Sequence, residues 1–139
     1  MGVLVDDQNQ QALNEFRDRF RTKPELLVRA PGRVNLIGGH LDYHEGFVLP
    51  VAIDRVLTLI GRRRDDDRVR IYSPSFGVSA WLSLGGEQRH PTVLGRYCQG
   101  AIVALRRRCD LKYGCDALVG GDLPAGAGLS SSSALVVAF

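Results

Sequence analysis

The chain has 139 residues, 45% hydrophobic and 24% charged, with 18 basic against 15 acidic side chains and a net charge of +3. That suffices for one globular domain with its own core, and no apolar stretch is long enough to span a bilayer. The small basic excess is scattered, without the interleaved basic and aromatic residues of a nucleic-acid surface, so neither a membrane nor a nucleic acid is an expected partner.

The opening MGVLVDDQNQQ lacks the basic, apolar and small-residue zones of a secretory signal, which makes the cytoplasm the expected compartment. From Gln8 to Arg21, Leu13, Phe16 and Phe20 recur at helical spacing and Pro24 follows, predicting an amphipathic helix as a first segment, residues 1–24. Residues 25–139 read as the main domain, without internal repeats or a linker. ELLVRAP (25–31) predicts a short strand ended by Pro31-Gly32. After the turn-rich GGHLDYHEG (38–46), the β-branched run FVLPVAIDRVLTLIGR (47–62) predicts one or two strands. RRRDDDRVR (62–70) balances arginines with aspartates and reads as a charged hairpin loop. RVRIYS and VSAWLSL are further strands, separated by a turn at Pro74.

Between Thr92 and Arg108, Leu94, Tyr97, Cys98, Ala101 and Leu105 share one face of a predicted helix, and Arg106 to Arg108 suit the negative end of its dipole. CDALVGGDLP (115–124) predicts a strand and turn, and SSSSALVVAF (130–139) the start of an apolar helix. The element order predicts an α+β fold with helices packed on one face of a sheet. Cys98, Cys109 and Cys115 are odd in number and form no CxxC pair, so they indicate neither a disulfide framework nor a zinc site. Small buried apolar side chains are their expected role.

Two stretches carry chemistry. In GDLPAGAGLSSSSAL (121–135) a strand delivers a glycine-rich loop to a helix start. Such an end has free N–H groups and a partial positive charge suited to phosphate. Gly126 and Gly128 let the backbone bend and approach a ligand, and the hydroxyls of Ser130 to Ser133 can donate to phosphate oxygens or ligate magnesium. A flexible linker or a serine-capped helix are the plain alternatives, and a cap accounts for one serine of the four. The P-loop pattern fails for want of a lysine after Gly128, and the dinucleotide fingerprint for want of its third glycine.

In RAPGRVNLIGGHLDYHEGFVLP (29–50), Arg33, Asn35, His40, Asp42, Tyr43, His44 and Glu45 stand beside glycines 32, 38, 39 and 46. Polar groups on turns held by strands are what a pattern of sugar hydroxyls requires, though any single Asp or His there reads equally as a surface turn.

Together the stretches resemble one family. APGRVNLIGGHLDYHEGFVLPVAI resembles the galactokinase signature segment, and LPAGAGLSSSSAL resembles the ATP-binding motif of the same GHMP kinase superfamily. The resemblance runs from about Glu25 to Phe139. It implies the α+β fold of the GHMP-kinase N-terminal domain (ribosomal protein S5 domain 2-like), incomplete at the C-terminus and without a C-terminal domain. It also implies ATP-dependent phosphorylation of the anomeric hydroxyl of galactose or a related sugar, with ATP and Mg2+ as cofactors.

Carried over by position, Arg33 matches the arginine beside the reacting hydroxyl, and Gly39, His40, Leu41 and Asp42 the sugar-binding segment. Gly126, Ala127, Gly128, Leu129, Ser130, Ser131 and Ser132 match the phosphate loop, with Ser132 as the magnesium ligand; Ser133 stands where alanine is usual. Gly38-Gly39-His40-Leu41-Asp42-Tyr43 departs from the usual Gly-Glu-His-Thr-Asp-Tyr, and the missing glutamate contacts the sugar's outer hydroxymethyl group. A sugar lacking that group, such as arabinose, is therefore an alternative substrate.

The family's catalytic aspartate lies downstream of the serine loop, and neither Asp54, Asp116 nor Asp122 matches it. The chain alone is accordingly expected to be inactive, or to be a non-catalytic sugar and ATP-binding module. The apolar end ALVVAF is expected to leave a patch open to self-association or a partner.

Overall fold

Alternation of apolar side chains decides which way each strand faces in a five-stranded sheet. The computed structural model describes residues 7–39, 41, 44–86 and 89–139. Strands β1 (Leu26–Ile37), β2 (Leu49–Arg63), β3 (Arg68–Ser73), β4 (Val78–Ser83) and β5 (Cys115–Gly121) lie in the order β1-β2-β5-β3-β4. Of these strands only β3 and β5 pair in parallel; the other neighbours are antiparallel.

The helices are α1 (Asp7–Phe20), α2 (Val93–Arg106) and α3 (Ser131–Ala138). Leu57, Leu59, Ala117 and Val119 point to one face and pack with Cys98 and Ile102 of α2 and Ala134, Leu135 and Ala138 of α3. Ile60 and Leu118 point to the other and pack on Phe16 of α1, which is fully buried. The helices thus cover both faces, not one, because β2 and β5 are apolar on both sides. Phe16 and Phe20 stack with centroids 4.8 Å apart, and Arg17 and Arg19 in the last turn of α1 complement its dipole.

Strand β1 does not stop at Pro31-Gly32. It continues to Ile37 with register shifts between Pro31 and Arg33 and between Asn35 and Ile37. Proline forfeits a ladder donor, and an edge strand tolerates that loss; β1 is an edge, and Pro50 of β2 lies where β2 has β1 as its neighbour, since β5 pairs with β2 only over Leu57–Arg63. The ends of β1 and β2 therefore form a two-stranded arm on which Leu36, Ile37, Leu49 and Val51 are exposed.

The segment 62–70 is a crossover, not a hairpin, because β5 lies between β2 and β3. Its connection passes over the start of β5, where Arg64 N–H donates to Gly114 O at 2.9 Å and Gly114 N–H to Asp66 O at 2.7 Å. A Cβ on Gly114 would overlap the Arg68 carbonyl, so the crossing requires glycine. Nor are its arginines simply solvated: Arg70 reaches Asp116 with Nε and Nη2 at 2.6 Å each, and Arg64 Nη1 reaches it at 3.0 Å. Asp116 is 4% exposed, so this two-arginine clamp supplies the hydrogen bonds that its buried carboxylate needs.

Helix α2 is capped by Thr92, whose hydroxyl accepts the Gly95 N–H at 3.1 Å. Its buried seam is Gly95, Cys98, Ala101 and Ile102; Tyr97 and Leu105, expected inside, are exposed, and so is Cys109. Burial pushes the Cys98 thiol up to about 12, as befits a small apolar core residue. Among the described residues no helix is long and apolar enough to cross a membrane.

Replacing Asp116 by Ala removes the carboxylate partner of Arg70 and one of the two held by Arg64, which keeps Asp66; it is expected to cost about 1–3 kcal/mol in urea unfolding, less than for a fully buried pair because both arginines reach water, and an unchanged midpoint would refute the clamp. Arg64 also holds the Asp66 carboxyl down from 3.8 to about 2, chiefly by hydrogen bonding against a smaller desolvation. A depressed folded-state value stabilises above the unfolded one, so this contribution is complete above 3.8 and is lost as pH falls through about 2. Unfolding followed from pH 5 to 2 should show the loss in the parent and a flatter profile in Asp66→Asn.

Candidate functional site

The serine loop begins where β5 leaves the sheet. The last β2–β5 pair is Leu57 with Gly121, whose φ of +113° turns the chain away and whose Cβ, were there one, would strike the Val56 carbonyl. Asp122 N–H and Leu123 N–H then both donate to Val56 O, at 3.1 and 3.2 Å. Asp122 Oδ1 accepts the Val56 N–H at 2.8 Å, and Asp122 Oδ2 accepts from Arg55 Nη1 at 3.0 Å. The Val56 bond, with Arg55 adding to it, holds the Asp122 carboxyl below its ordinary value.

The far end of the loop is fixed by β1. Arg33 N–H donates to Leu129 O at 3.2 Å. Gly32 lies directly beneath: a Cβ there would overlap Leu123 Cδ1 and stand 3.0 Å from Leu129 O and 3.1 Å from Ile53 Cδ1. Between these anchors residues 124–128 are exposed, and Gly126 and Gly128 have φ of +72° and +73°, with none of the described residues within 4 Å of where a Cβ would stand.

The loop enters α3 through Ser130, in the left-handed region at φ +60°, ψ +35°. For a residue with a Cβ this costs roughly 1–2 kcal/mol. Ser130 makes no side-chain cap, and the first main-chain bond of the helix is Ala134 N–H to Ser130 O at 3.0 Å. The N–H groups of Ser131, Ser132 and Ser133 thus lack intrahelical partners, as in any first turn. Ser130 to Ser133 are half-buried, and among the described residues none of their hydroxyls has a hydrogen-bond partner. Uncapped N–H groups, donor hydroxyls and the positive end of a dipole together suit an anion with several oxygens. Among the described residues no cluster of His, Cys, Asp or Glu could hold a metal ion unaided, so a cation here would need oxygens from a ligand as well as from a serine.

Of the sequence-predicted residues, Arg33 and the segment 126–132 are thus brought together by a main-chain bond. Gly39 and Leu41 lie past the end of β1. Leu41 N–H donates to Gly38 O at 2.9 Å, and Leu41 O accepts from His44 and Gly46 N–H at 3.0 Å each. Gly39 is exposed, and among the described residues nothing lies within 4 Å of where a Cβ would stand. His40 and Asp42 lie outside the described residues. Asp122, Arg55 and the close packing at Gly32 are not among the residues the sequence assigns to the site; the Gly-Asp pair preceding Leu-Pro at the strand end is the available signal.

A five-stranded sheet presenting a glycine-serine loop at the start of a helix defines the N-terminal domain of a GHMP kinase, and the GHMP kinases N terminal domain matches residues 96–139. The galactokinase galactose-binding signature matches residues 14–63. The two matches together are those of the N-terminal part of galactokinases. The chain is 44% identical over 128 residues to the galactokinase of Roseiflexus sp. (strain RS-1), covering 89% of this chain and 33% of the relative. It is 38% identical over 134 residues to that of Pasteurella multocida (strain Pm70), covering 93% and 34%. The crystal structure of Lactococcus lactis galactokinase complexed with galactose superposes with a TM-score of 0.77 at 29% identity, over 92% of this chain and 34% of that one. The chain therefore spans about a third of the length of these relatives.

Gly32→Ala should force the loop off β1. A loss of about 1–3 kcal/mol in thermal unfolding is expected from such overpacking, with faster amide exchange at Leu129 to Ser133; parental stability and exchange would refute the close packing.

Proposed function

We propose that the chain is the nucleotide-loop and sugar-signature portion of a cytoplasmic, galactokinase-like sugar kinase. It would take part in ATP-dependent phosphorylation of a sugar's anomeric hydroxyl to the sugar 1-phosphate. The observation that carries this reading is the uncapped start of α3, with its unpartnered serine hydroxyls, bonded through Leu129 to the main chain of Arg33. In this reading the exposed backbone from Gly126 to Leu129 wraps the phosphates of ATP, and Ser130 and Ser131 donate to their oxygens. The hydroxyl of Ser132 would hold Mg2+, which when bound neutralises charge between the β- and γ-phosphates. Arg33, tied to the same loop, would place a permanent positive charge beside the reacting hydroxyl. Gly39, His40, Leu41 and Asp42 would contact the sugar, Asp42 accepting from ring hydroxyls.

Among the described residues none of the candidate carboxylates is placed to orient the hydroxyl. Asp116 and Asp122 are engaged in their own pairs, and the Asp54 side chain is 94% exposed. This favours a division of labour in which residues beyond Phe139 supply that group, and it leaves a non-catalytic sugar and ATP-binding module as the second reading. The open space at Gly39 is the observation that favours a sugar other than galactose, such as arabinose, since no side chain there accepts from an outer hydroxymethyl group. Val136 and Val137 of α3, the latter 80% exposed, form apolar surface for self-association or a partner.

Sugar 1-phosphate formed from ATP and Mg2+ should be undetectable with this chain alone and appear once a downstream family segment is joined to it, with galactose and arabinose compared side by side. Turnover by the short chain would overturn the missing-carboxylate reading; sugar binding without turnover in the extended protein would favour the binding module.

A further inference from the structure

We infer that Asp122 is a positioning residue for the serine loop, its carboxylate replacing a main-chain carbonyl that β5 no longer presents to β2. The inference rests on the reading of that loop as the nucleotide site.

In a regular antiparallel ladder the residue after Gly121 would oppose Val56 and exchange hydrogen bonds through the main chain alone. Gly121 turns the chain out of the sheet, so only half of that exchange survives: Asp122 N–H still reaches Val56 O at 3.1 Å. The other half is made by the side chain, with Oδ1 accepting the Val56 N–H at 2.8 Å. Leu123 N–H adds a second bond to the same carbonyl at 3.2 Å. Three bonds on one residue of β2 thus fix Asp122 and Leu123, and Leu123 in turn packs over Gly32 next to the Leu129 carbonyl that Arg33 holds. Both ends of the loop are therefore referred to the same β1–β2 pair, and the uncapped start of α3 follows immediately.

The ion pair with Arg55 is secondary. Arg55 is more than half exposed, its pair with Asp122 is solvent-screened, and Arg55 also lies 3.9 Å from Asp54. The operative atom is the acceptor oxygen Oδ1, whose role does not depend on charge, and asparagine can provide it. The lowered titration of Asp122, caused first by the Val56 bond, agrees with that geometry.

The test combines MgATP affinity of the chain with amide exchange, in the parent and in Asp122→Ala, Asp122→Asn and Arg55→Ala. Asp122→Ala should weaken MgATP about tenfold and speed exchange from Leu123 to Ser133 by a similar factor, the size expected when a part-buried N–H loses its acceptor. Protection in β3 and β4 should not change. Asp122→Asn should rescue both readouts, and Arg55→Ala should stay within about twofold of the parent, as a screened pair allows. Parental loop protection in Asp122→Ala, an Asn variant as impaired as the Ala variant, or protection lost equally across β3 and β4 would each overturn the inference. If the parent binds no MgATP, the functional reading fails, while the exchange of the loop amides still decides whether Asp122 holds it.

Discussion

The main-chain bond from Arg33 to Leu129, made possible because Gly32 has no side chain, is the contact on which the candidate site depends. Residues 33 and 129 are far apart in sequence, and each belongs to a different recognisable stretch. Neither stretch brings the candidate residues together alone: the glycine-serine loop and Arg33 lie on separate parts of the chain. A close approach of two backbones joins them, and close approach is the property glycine confers where even one carbon would collide. At the same point the β1–β2 ladder shifts register, with Ile53, Asp54 and Arg55 of β2 set against Gly32, and the pairing resumes on both sides.

Strand β2 is the frame to which both parts are referred. Toward Arg63 it is an interior strand between β1 and β5; toward Leu49 it pairs with β1. Val56 sits at the junction, with its carbonyl and N–H facing the side that β5 has just vacated. Free backbone groups at such a position must find partners, and the departing chain supplies them from Asp122 and Leu123. At the opposite end of β5, the crossover over Gly114 and the clamp of Arg64 and Arg70 on Asp116 perform the corresponding task. Strand β5 is thus pinned at its entry by an ion-pair clamp and at its exit by side-chain mimicry of a ladder, which fixes the origin of the loop that follows.

Much of this is legible in the sequence, and the failures have physical causes. Helical spacing in α1, the apolar run of β2, and the Thr92 start of α2 are local signals, and they are where the structure has them. The expected end of the first strand at Pro31-Gly32 fails because proline's cost depends on whether a strand is an edge, which local sequence does not encode. Residues 62–70 read as a hairpin because nothing in them records that β5, much later in the chain, intervenes. The expected inner face of α2 includes Tyr97 and Leu105, whereas the sheet selects the small residues Gly95, Cys98 and Ala101, which allow the helix to lie close. For the site, the loop and Arg33 are visible as residue types in pattern, but their juxtaposition and the role of Asp122 are long-range facts of the β1–β2–β5 register.

The start of α3 breaks two local rules at once: a non-glycine residue occupies the left-handed region, and serines that could cap the helix do not. Local preference would relax Ser130 and turn a hydroxyl onto the free N–H groups. That relaxation is opposed from both sides. Ala134, Leu135 and Ala138 are buried against the sheet and fix the helix axis, while Leu129, one residue before Ser130, is held by Arg33. Between a fixed helix and a fixed loop, Ser130 has to make the turn, and the N–H groups and hydroxyls of the first turn are left without partners among the described residues. Burial of apolar side chains in α3 is worth more than the roughly 1–2 kcal/mol of strain at one residue. The unsatisfied donors at the start of α3 are therefore a consequence of the same packing that builds the core.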